Sequence, residues 1–314
     1  MRDRYMRNID YARISVTDLC NLRCIYCMPE GYIAKNYKSL NLSEIDNIIN
    51  ALVGLGVKKI RITGGEPLLR EDIIEIIYGI RKYSEIQDIG ITTNGTLLSA
   101  YAEKLKGAGL NRVNVSLDSL KKDVYKVITG GSLSEVLNGI EHCIELGMKV
   151  KINMVPIRGI NDNEIMDFIN LTENQDIDVR FIELMPLGPG INYLGMSSDV
   201  IKGLIKNLTP VGKEQNSGGP SEVYRITGYK GRVGFISPIS HSFCATCNRL
   251  RITSDGKLKT CLHSRDEIDL VPVIHNIELL KNKIAEGILE KEKEHRLNID
   301  NISNSIREMV RIGG

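Results

Sequence analysis

The sequence lacks tryptophan, has only 4 phenylalanines, and contains no long apolar run. The first fifteen residues, MRDRYMRNIDYARIS, carry charges throughout and have no apolar core of the kind that a secretory signal needs. No apolar stretch approaches the roughly 18–20 residues that span a bilayer. We therefore expect a cytoplasmic protein with no membrane partner.

The chain also lacks a strong excess of either charge. Its net charge of +2 neither requires nor excludes a nucleic-acid partner, and we predict none. It has 7 cysteines, which in a reducing compartment do not form a disulfide framework. Close groups of them then indicate metal binding or catalysis. A length of 314 residues allows one large domain with a smaller companion.

Between residues 11 and 184, short β-branched runs alternate with longer segments of helical period. Six such runs separated by helices predict a parallel α/β sheet, either open or curled toward a barrel. In such sheets the loops after the strands build the active site. The predicted strands begin at Tyr11, Val57, Asp88, Arg112, Lys149 and Asp178.

The pattern changes after Met185, where glycine-rich loops and two short predicted strands in EVYRITGYKGRVGFIS replace the alternation. The segment from Ile277 to Ile306 is charged and helical by period. We predict a first domain over residues 1–208 and a smaller C-terminal domain over residues 209–314.

Three cysteines, Cys20, Cys24 and Cys27, follow the first predicted strand in the segment CNLRCIYC. Thiolates at this density select zinc or an iron–sulfur cluster. Zinc would need a fourth ligand from elsewhere, whereas a [4Fe–4S] cluster on three cysteines leaves one iron open. The C-x3-C-x2-C spacing, with an aromatic residue before the last cysteine, resembles the radical S-adenosylmethionine (SAM) enzymes.

Small and polar residues follow the other predicted strands. Gly64 and Gly65 in RITGGEPLLR free the backbone for close approach, and Glu66 follows them. This segment resembles the GGEP motif that receives the amino end of SAM in radical SAM enzymes. Further polar residues recur at successive strand ends, namely Thr92, Thr93, Asn94, Ser116, Asp118 and Asn153.

A second group of three cysteines, Cys244, Cys247 and Cys261, lies near the C-terminus with His241 and His263 close in sequence. From spacing alone, zinc and an iron–sulfur cluster are both open here. Arg249 and Arg251 follow, two apart, and on a strand they would share one face. With Arg13, Arg61 and Lys151 on other predicted strands, they indicate a polyanionic substrate.

The motifs RISVTDLCNLRCIYCMP, RITGGEPLLR, TTNG, NVSLDS, RFIELMP and SFCATCNRLRITSDGKLKTCL, with a terminal Gly-Gly, together resemble the GTP 3′,8-cyclase family. This resemblance covers nearly the whole chain. It implies an incomplete (β/α)6 TIM-like barrel, closed on its open side by a smaller C-terminal α+β domain that carries a second cluster. It also implies that both cysteine groups hold [4Fe–4S] clusters, the first binding SAM and the second binding guanine.

The resemblance further assigns residues one by one. It implies SAM contacts at Tyr26, Gly64, Gly65, Glu66, Asn94, Ser116 and Met185. It implies GTP contacts at Arg13, Arg61, Thr92, Lys151, Arg249 and Arg251, with the backbone near Leu250. A catalytic role would fall to Arg13, Arg249, Arg251, Gly313 and Gly314, the last two as a tail that enters the site.

The implied reaction opens molybdenum cofactor biosynthesis. A 5′-deoxyadenosyl radical removes hydrogen from C3′ of GTP, and ring closure onto guanine C8 gives 3′,8-cyclo-7,8-dihydro-GTP, which makes the enzyme a lyase. Implied partners are a flavodoxin- or ferredoxin-like electron donor and, next in the pathway, cyclic pyranopterin monophosphate synthase. The protein would be a monomer or a homodimer. The alternatives are another radical SAM enzyme with an auxiliary cluster, such as a peptide-modifying one, and a zinc-stabilised interaction protein.

Overall fold

The computed structural model describes residues 1–32, 39–212, 219–295, 297 and 303–313. Within these residues, twelve strands form one sheet. They are β1 (Tyr11–Ser15), β2 (Lys59–Thr63), β3 (Asp88–Thr93), β4 (Arg112–Ser116), β5 (Lys149–Met154), β6 (Asp178–Ile182), β7 (Leu208–Pro210), β8 (Glu222–Ile226), β9 (Arg232–Ile236), β10 (Arg249–Ile252), β11 (Lys257–Lys259) and β12 (Ile268–Asp269).

The helices of the described segments lie mainly between these strands. They are α1 (Leu42–Gly54), α2 (Ile73–Arg81), α3 (Leu98–Gly107), α4 (Lys122–Thr129), α5 (Leu133–Glu145), α6 (Ile165–Asn174), α7 (Ser198–Gly203), α8 (Ile277–Glu290) and α9 (Met309–Ile312). None of the helices in the described part of the chain has the length and apolar character needed to cross a bilayer.

The six strands predicted from the alternation, β1 to β6, are confirmed and pair in parallel in chain order. The structure adds a parallel strand at each side, since β10 pairs with β1 and β9 pairs with β6. The hairpin predicted from EVYRITGYKGRVGFIS is also confirmed, as antiparallel β8 and β9. The sheet therefore runs without interruption from the predicted first domain into the predicted second.

The sheet is curled but not closed. Its order is β12-β11-β10-β1-β2-β3-β4-β5-β6-β9-β8-β7, so β12 and β7 lie at its two ends without pairing to each other. Residues from β10 and from β9, which have six strands between them in this order, line the same cavity. The parallel strands therefore wrap around a central space, as in an incomplete barrel.

The strands alternate between an apolar outer face and a polar inner face. Ile60 and Ile62 of β2 join the core cluster with the buried residues of the helices, while Arg61 between them lines the cavity. On β4, Val113 and Val115 join the core, while Arg112, Asn114 and Ser116 line the cavity. Successive side chains of a strand point to opposite faces, so the barrel interior is a polar chamber.

The helix predicted from Ile277 to Ile306 is confirmed in its first half and is wrong for the described residues beyond Glu290, namely 291–295, 297 and 303–306. Helix α8 begins after Asn276, whose side chain accepts a hydrogen bond from the Leu279 N–H, and it ends at Glu290. The carbonyls that follow do not continue the helix because the buried Arg7 guanidinium donates hydrogen bonds to them. Its Nη2 lies 2.6 Å from Glu292 O and its Nη1 lies 2.9 Å from Lys293 O. These long-range bonds replace helical ones that periodicity alone would suggest.

Arg7 also ties the N-terminal segment to the second cysteine group, because its Nη1 donates to Cys244 O at 2.8 Å and its Nε pairs with the buried Asp3 at 2.5 Å. We expect Arg7→Met to lower the free energy of unfolding by about 3–5 kcal/mol, since it leaves Asp3 buried and uncompensated. Equilibrium unfolding in urea, followed by circular dichroism, measures this. The exposed Arg4 offers a matched control, and Arg4→Met should change the value by less than about 0.5 kcal/mol. Equal losses in the two variants would contradict the role of Arg7.

Candidate active site

A cavity of about 310 Å³ lies inside the curled sheet, and all six cysteines of the two groups line it. Cys20, Cys24 and Cys27 follow the C-terminal end of β1. Cys244 and Cys247 precede β10, which runs parallel to β1, and Cys261 follows the antiparallel β11. The two groups therefore lie at opposite ends of the chamber.

The first cysteine loop is fixed by backbone hydrogen bonds. Cys24 O accepts from Cys27 N at 3.0 Å, which turns the loop so that both side chains reach the cavity. Arg23 N and Ile25 N donate to the carbonyls of Thr129 and Ile128 at the end of α4. Burial raises the pKa of Cys20, and it raises that of Cys27 to about 12. A bound cation is what would hold these thiols together as thiolates.

The two glycines after β2 are required by the cysteine loop. A Cβ on Gly65 would clash with the backbone of Leu19, and one on Gly64 would lie 2.7 Å from Thr17 O. The backbone accordingly bonds across, from Gly65 N to Thr17 O and from Glu66 N to Leu19 O, each at 2.7 Å. Both glycines also line the cavity, so the close approach expected from the sequence is first of all an approach to the cysteine loop.

Glu66 is fully buried and does not line the cavity. Its carboxylate accepts hydrogen bonds from Thr93 Oγ1 at 2.7 Å, Asn94 N at 2.7 Å and Leu68 N at 3.0 Å. Burial raises its pKa to about 7. Glu66 thereby holds the β3 loop that carries Asn94, whose Nδ2 donates to Asn21 Oδ1 of the cysteine loop at 2.8 Å.

Tyr26 and Asp118 form a buried pair beside the first group. The Tyr26 hydroxyl donates to Asp118 Oδ2 at 2.7 Å, and Val155 N donates to Asp118 Oδ1 at 2.9 Å. Burial raises the pKa of Asp118 to about 6 and also raises that of Tyr26. Ser116 and Met185 line the same part of the cavity, so the predicted SAM-binding residues other than Glu66 lie together on its wall.

Cations surround the second group. The Arg249 guanidinium lies 4.8 Å from the Phe243 ring centroid, and the buried Lys291 ammonium donates to Thr260 O, next to Cys261. Burial alone would raise the pKa of Cys247, but Arg249 and Lys291 lower it to about 7.

The two histidines near the second group have other partners. His241 Nε2 lies 2.7 Å from Asp199 Oδ2 at the surface, and His263 Nδ1 lies 3.0 Å from Ser303 Oγ. Across the described segments, no three His, Cys, Asp or Glu side chains are grouped to hold one metal ion. The fourth protein ligand that a zinc site would need is therefore not supplied by His241 in this arrangement.

The chamber is strongly basic. Of the described residues that line it, only Asp118 is a carboxylate, whereas six are arginines: Arg13, Arg61, Arg112, Arg180, Arg249 and Arg251. Burial and neighbouring arginines lower the pKa of Arg180 to about 9 and hold that of Arg251 well below its usual range. The positive charges of these arginines lie close together in a small volume, which favours the binding of an anionic ligand.

Glycines make room for two of these arginines. A Cβ on Gly90 of β3 would clash with the Arg61 guanidinium, and one on Gly234 of β9 would lie 2.9 Å from Arg180 Cγ. The two side chains can therefore lie flat across the neighbouring strand. Arg61 Nε is also held by the Tyr11 hydroxyl at 3.2 Å.

One predicted GTP-binding residue, Lys151, lies away from the cavity, and Leu250 was predicted to contribute its backbone. Lys151 does not line the main cavity but pairs with Asp178 at 2.6 Å, beside a smaller pocket that includes Arg180. The Leu250 side chain is fully buried in the core cluster, on the face of β10 opposite to Arg249 and Arg251. Of Leu250, only the backbone is available to a ligand in the chamber. Arg13, Arg61 and Thr92 line the cavity, and their contacts to GTP stay a prediction.

The described end of the C-terminal tail lies against the cavity wall at Gly313, whose catalytic role stays a prediction. Its carbonyl accepts a hydrogen bond from Arg251 Nη1 at 2.5 Å. A Cβ there would clash with Thr63 Oγ1, and its φ of +76° also favours glycine. The other predicted tail residue, Gly314, lies outside the described residues.

Sequence reasoning missed several residues that line the cavity, among them Tyr11, Arg112, Asn114 and Arg180. All four lie within strands and not at their C-terminal ends. For Arg112 and Asn114 the available signal was the period-2 alternation, because both share a strand face with Ser116, and Tyr11 shares one with Arg13 in the same way.

Family comparisons agree with this arrangement. Residues 14–172 match the family described as Radical SAM superfamily, and residues 177–297 match the one described as Molybdenum Cofactor Synthesis C. A solved structure of Streptococcus suis SuiB bound to S-adenosylmethionine aligns with a TM-score of 0.67 at 15% identity, covering 97% of this chain and 77% of that one. At this identity the similarity shows the fold alone.

Closer relatives match the whole chain. A GTP 3′,8-cyclase of Alkaliphilus oremlandii is 53% identical over 100% of both chains, and one of Clostridium acetobutylicum is 49% identical over 100% of both. Membership of the radical SAM superfamily implies a [4Fe–4S] cluster and SAM. With its two domain matches and these full-length relatives, the chain belongs to the GTP 3′,8-cyclase family of radical SAM enzymes.

Proposed function

We propose that the protein converts GTP to 3′,8-cyclo-7,8-dihydro-GTP, the first step of molybdenum cofactor biosynthesis. One observation carries the proposal: two groups of three cysteines face each other across a chamber lined by six arginines. A nucleoside triphosphate carries the negative charge that such a basic chamber favours. The identity to GTP 3′,8-cyclases over the full chain supports the same substrate.

The residues of the first group fit a [4Fe–4S] cluster. Three cavity-facing thiols supply its protein ligands, and the polar wall from Tyr26 to Met185 leaves room for SAM at the remaining iron. Cluster and SAM together would supply a 5′-deoxyadenosyl radical, which abstracts the C3′ hydrogen of GTP. Ring closure onto guanine C8 then needs one further electron and a proton, which we assign to a flavodoxin- or ferredoxin-like donor and solvent.

The second group, Cys244, Cys247 and Cys261, would hold a second [4Fe–4S] cluster that binds guanine. Its three thiols line the cavity, and the neighbouring Arg249 and Lys291 favour the thiolate form of Cys247, the form that metal ligation requires. His241 is engaged with Asp199, so it does not supply the fourth ligand that a zinc site would need.

The chain's own residues would orient the substrate. Arg13, Arg61 and Arg180 offer charge-assisted contacts to the triphosphate, each contributing about 1.5–3 kcal/mol. Lys151 would contribute from the adjoining pocket. Gly313 would close the site beside Arg251, where a larger residue has no room. The catalytic roles of Arg13, Arg249 and Arg251 remain part of this proposal.

Three further assignments go with this function. We propose that residues 1–208 form the SAM-binding unit and residues 209–314 the unit that carries the second cluster. The product would pass to cyclic pyranopterin monophosphate synthase. The protein would act as a monomer or a homodimer.

The proposed function is tested by anaerobic incubation of the iron-loaded protein with SAM, a reductant and GTP. Chromatography with mass spectrometry should show 5′-deoxyadenosine and a cyclised nucleotide, both dependent on GTP. A protein that carries zinc and no iron after anaerobic purification would contradict the proposal.

Two single variants, each lacking one cysteine of one group, should distinguish the functions of the two sites. Cys244→Ser should halve the iron content, from about eight to about four atoms per chain, because one [4Fe–4S] cluster is lost. It should weaken GTP binding and abolish the cyclised product, while the remaining cluster still cleaves SAM when GTP is supplied in large excess. Cys20→Ser should instead abolish SAM cleavage and leave GTP binding. Loss of SAM cleavage in both variants, with GTP binding unchanged, would contradict the division of roles.

The triphosphate contacts can be tested with Arg180→Met. Its buried Nε has no hydrogen-bond partner within the described chain, so a ligand phosphate is the partner we expect. The dissociation constant for GTP should rise about tenfold to a hundredfold, while that for guanosine should not change. Equilibrium dialysis measures both, with the exposed Arg225→Met as control. An equal loss for GTP and guanosine would show that Arg180 does not bind phosphate.

A further inference from the structure

The inner face of β4 presents three polar residues in a row toward the cavity: Arg112, Asn114 and Ser116. Alternate residues of a strand are spaced by roughly 6.5–7 Å, so the three form successive levels across the chamber. Arg112 lies on the level of Arg61, through the register Arg61↔Gly90↔Arg112. Ser116 lies at the end that carries the first cysteine group.

Asn114 occupies the middle level and is only 4% exposed. Its Nδ2 lies 3.5 Å from Thr92 Oγ1 on the neighbouring strand, which is a long contact. Its Oδ1 is buried and has no hydrogen-bond partner within the described chain. A buried amide oxygen without a donor is costly, so such an atom in a binding cavity indicates a donor on the ligand.

The neighbours of Asn114 do not supply that donor. On β5 the register partner is Lys151, whose ammonium pairs with Asp178. On its own strand, Arg112 pairs with Asp88. Asn114 Oδ1 therefore faces the chamber as an acceptor among basic residues.

The chemistry of GTP restricts what this acceptor can meet. Phosphate oxygens are hydrogen-bond acceptors, so they can pair with the arginines but cannot donate a hydrogen bond to an amide oxygen. The N–H groups of guanine would lie toward the second cysteine group, at the other end of the chamber. The remaining donors are the 2′- and 3′-hydroxyl groups of the ribose, which belong between the phosphates and SAM.

We propose that Asn114 accepts a hydrogen bond from a ribose hydroxyl of GTP and thereby positions C3′ for hydrogen abstraction. This inference rests on the proposed function and adds a residue to it. Asn114 acts here as a binding and positioning residue, because no proton or electron passes through it.

Asn114→Leu tests the inference, since leucine keeps the shape of asparagine and removes its polar atoms. The dissociation constant for GTP should rise about tenfold in the iron-loaded variant, measured by anaerobic equilibrium dialysis. The ratio of 5′-deoxyadenosine to cyclised product should also rise, because a misplaced ribose loses its C3′ hydrogen in fewer of the SAM cleavage events. The exposed Asn170→Leu on α6 serves as control and should match the wild type in both measurements.

The sharpest readout is a cycle with 2′-deoxy-GTP and 3′-deoxy-GTP. If Asn114 contacts one hydroxyl, the analogue that lacks it should bind wild type and Asn114→Leu with equal affinity, while the other analogue still distinguishes them. An equal loss for GTP and for both analogues would overturn the inference, as would unchanged GTP binding in the variant. If Asn114→Leu fails to retain wild-type iron, Asn114→Ala goes through the same cycle.

Failure of the inference and failure of the proposed function give different results. A wild-type protein that does not bind or cyclise GTP removes the proposed function itself. A wild-type protein that does both, with no hydroxyl-specific effect at position 114, removes only the role of Asn114.

Discussion

The chamber depends on an electrostatic constraint: several arginines are buried within one small space with a single carboxylate, Asp118, among the described lining residues. Burial and mutual repulsion lower the pKa of Arg13 to about 10 and that of Arg180 to about 9, so the charged forms are held there at a cost. An anionic ligand removes that cost. The sheet accommodates the side chains of Arg61 and Arg180 by placing Gly90 and Gly234 beneath them.

The direction of the strands determines where the two cysteine groups lie. Because β1 and β10 run in parallel, the loop after β1 and the loop before β10 open at opposite ends of the chamber. A ligand that reaches both cysteine groups must therefore pass along the inner face of the sheet. Its middle section meets the level of Thr92 and Asn114, where hydroxyl and amide groups replace the arginines. The geometry thus matches a molecule that is anionic in one part and hydroxylated in another.

Much of this could be predicted from the sequence, because strand order and cysteine spacing are local patterns. The polar residues that follow strands β1 to β6 could be predicted from the sequence in the same way. What could not be predicted depends on contacts distant in sequence. The end of α8 depends on Arg7, and Glu66 is enclosed by Thr93 and Asn94 instead of lining the cavity. Arg112 and Arg180 were missed because their positions within strands gain meaning only when the sheet curls.

The central claim is that the arginine-lined chamber holds GTP with its C3′ facing the first cysteine group. The most direct measurement is the transfer of deuterium from GTP labelled at C3′ into 5′-deoxyadenosine, followed by mass spectrometry under anaerobic conditions. The account predicts one deuterium in 5′-deoxyadenosine formed during product turnover, and none from GTP labelled at C2′. Unlabelled 5′-deoxyadenosine from C3′-labelled GTP, formed at the same rate as product, would contradict it.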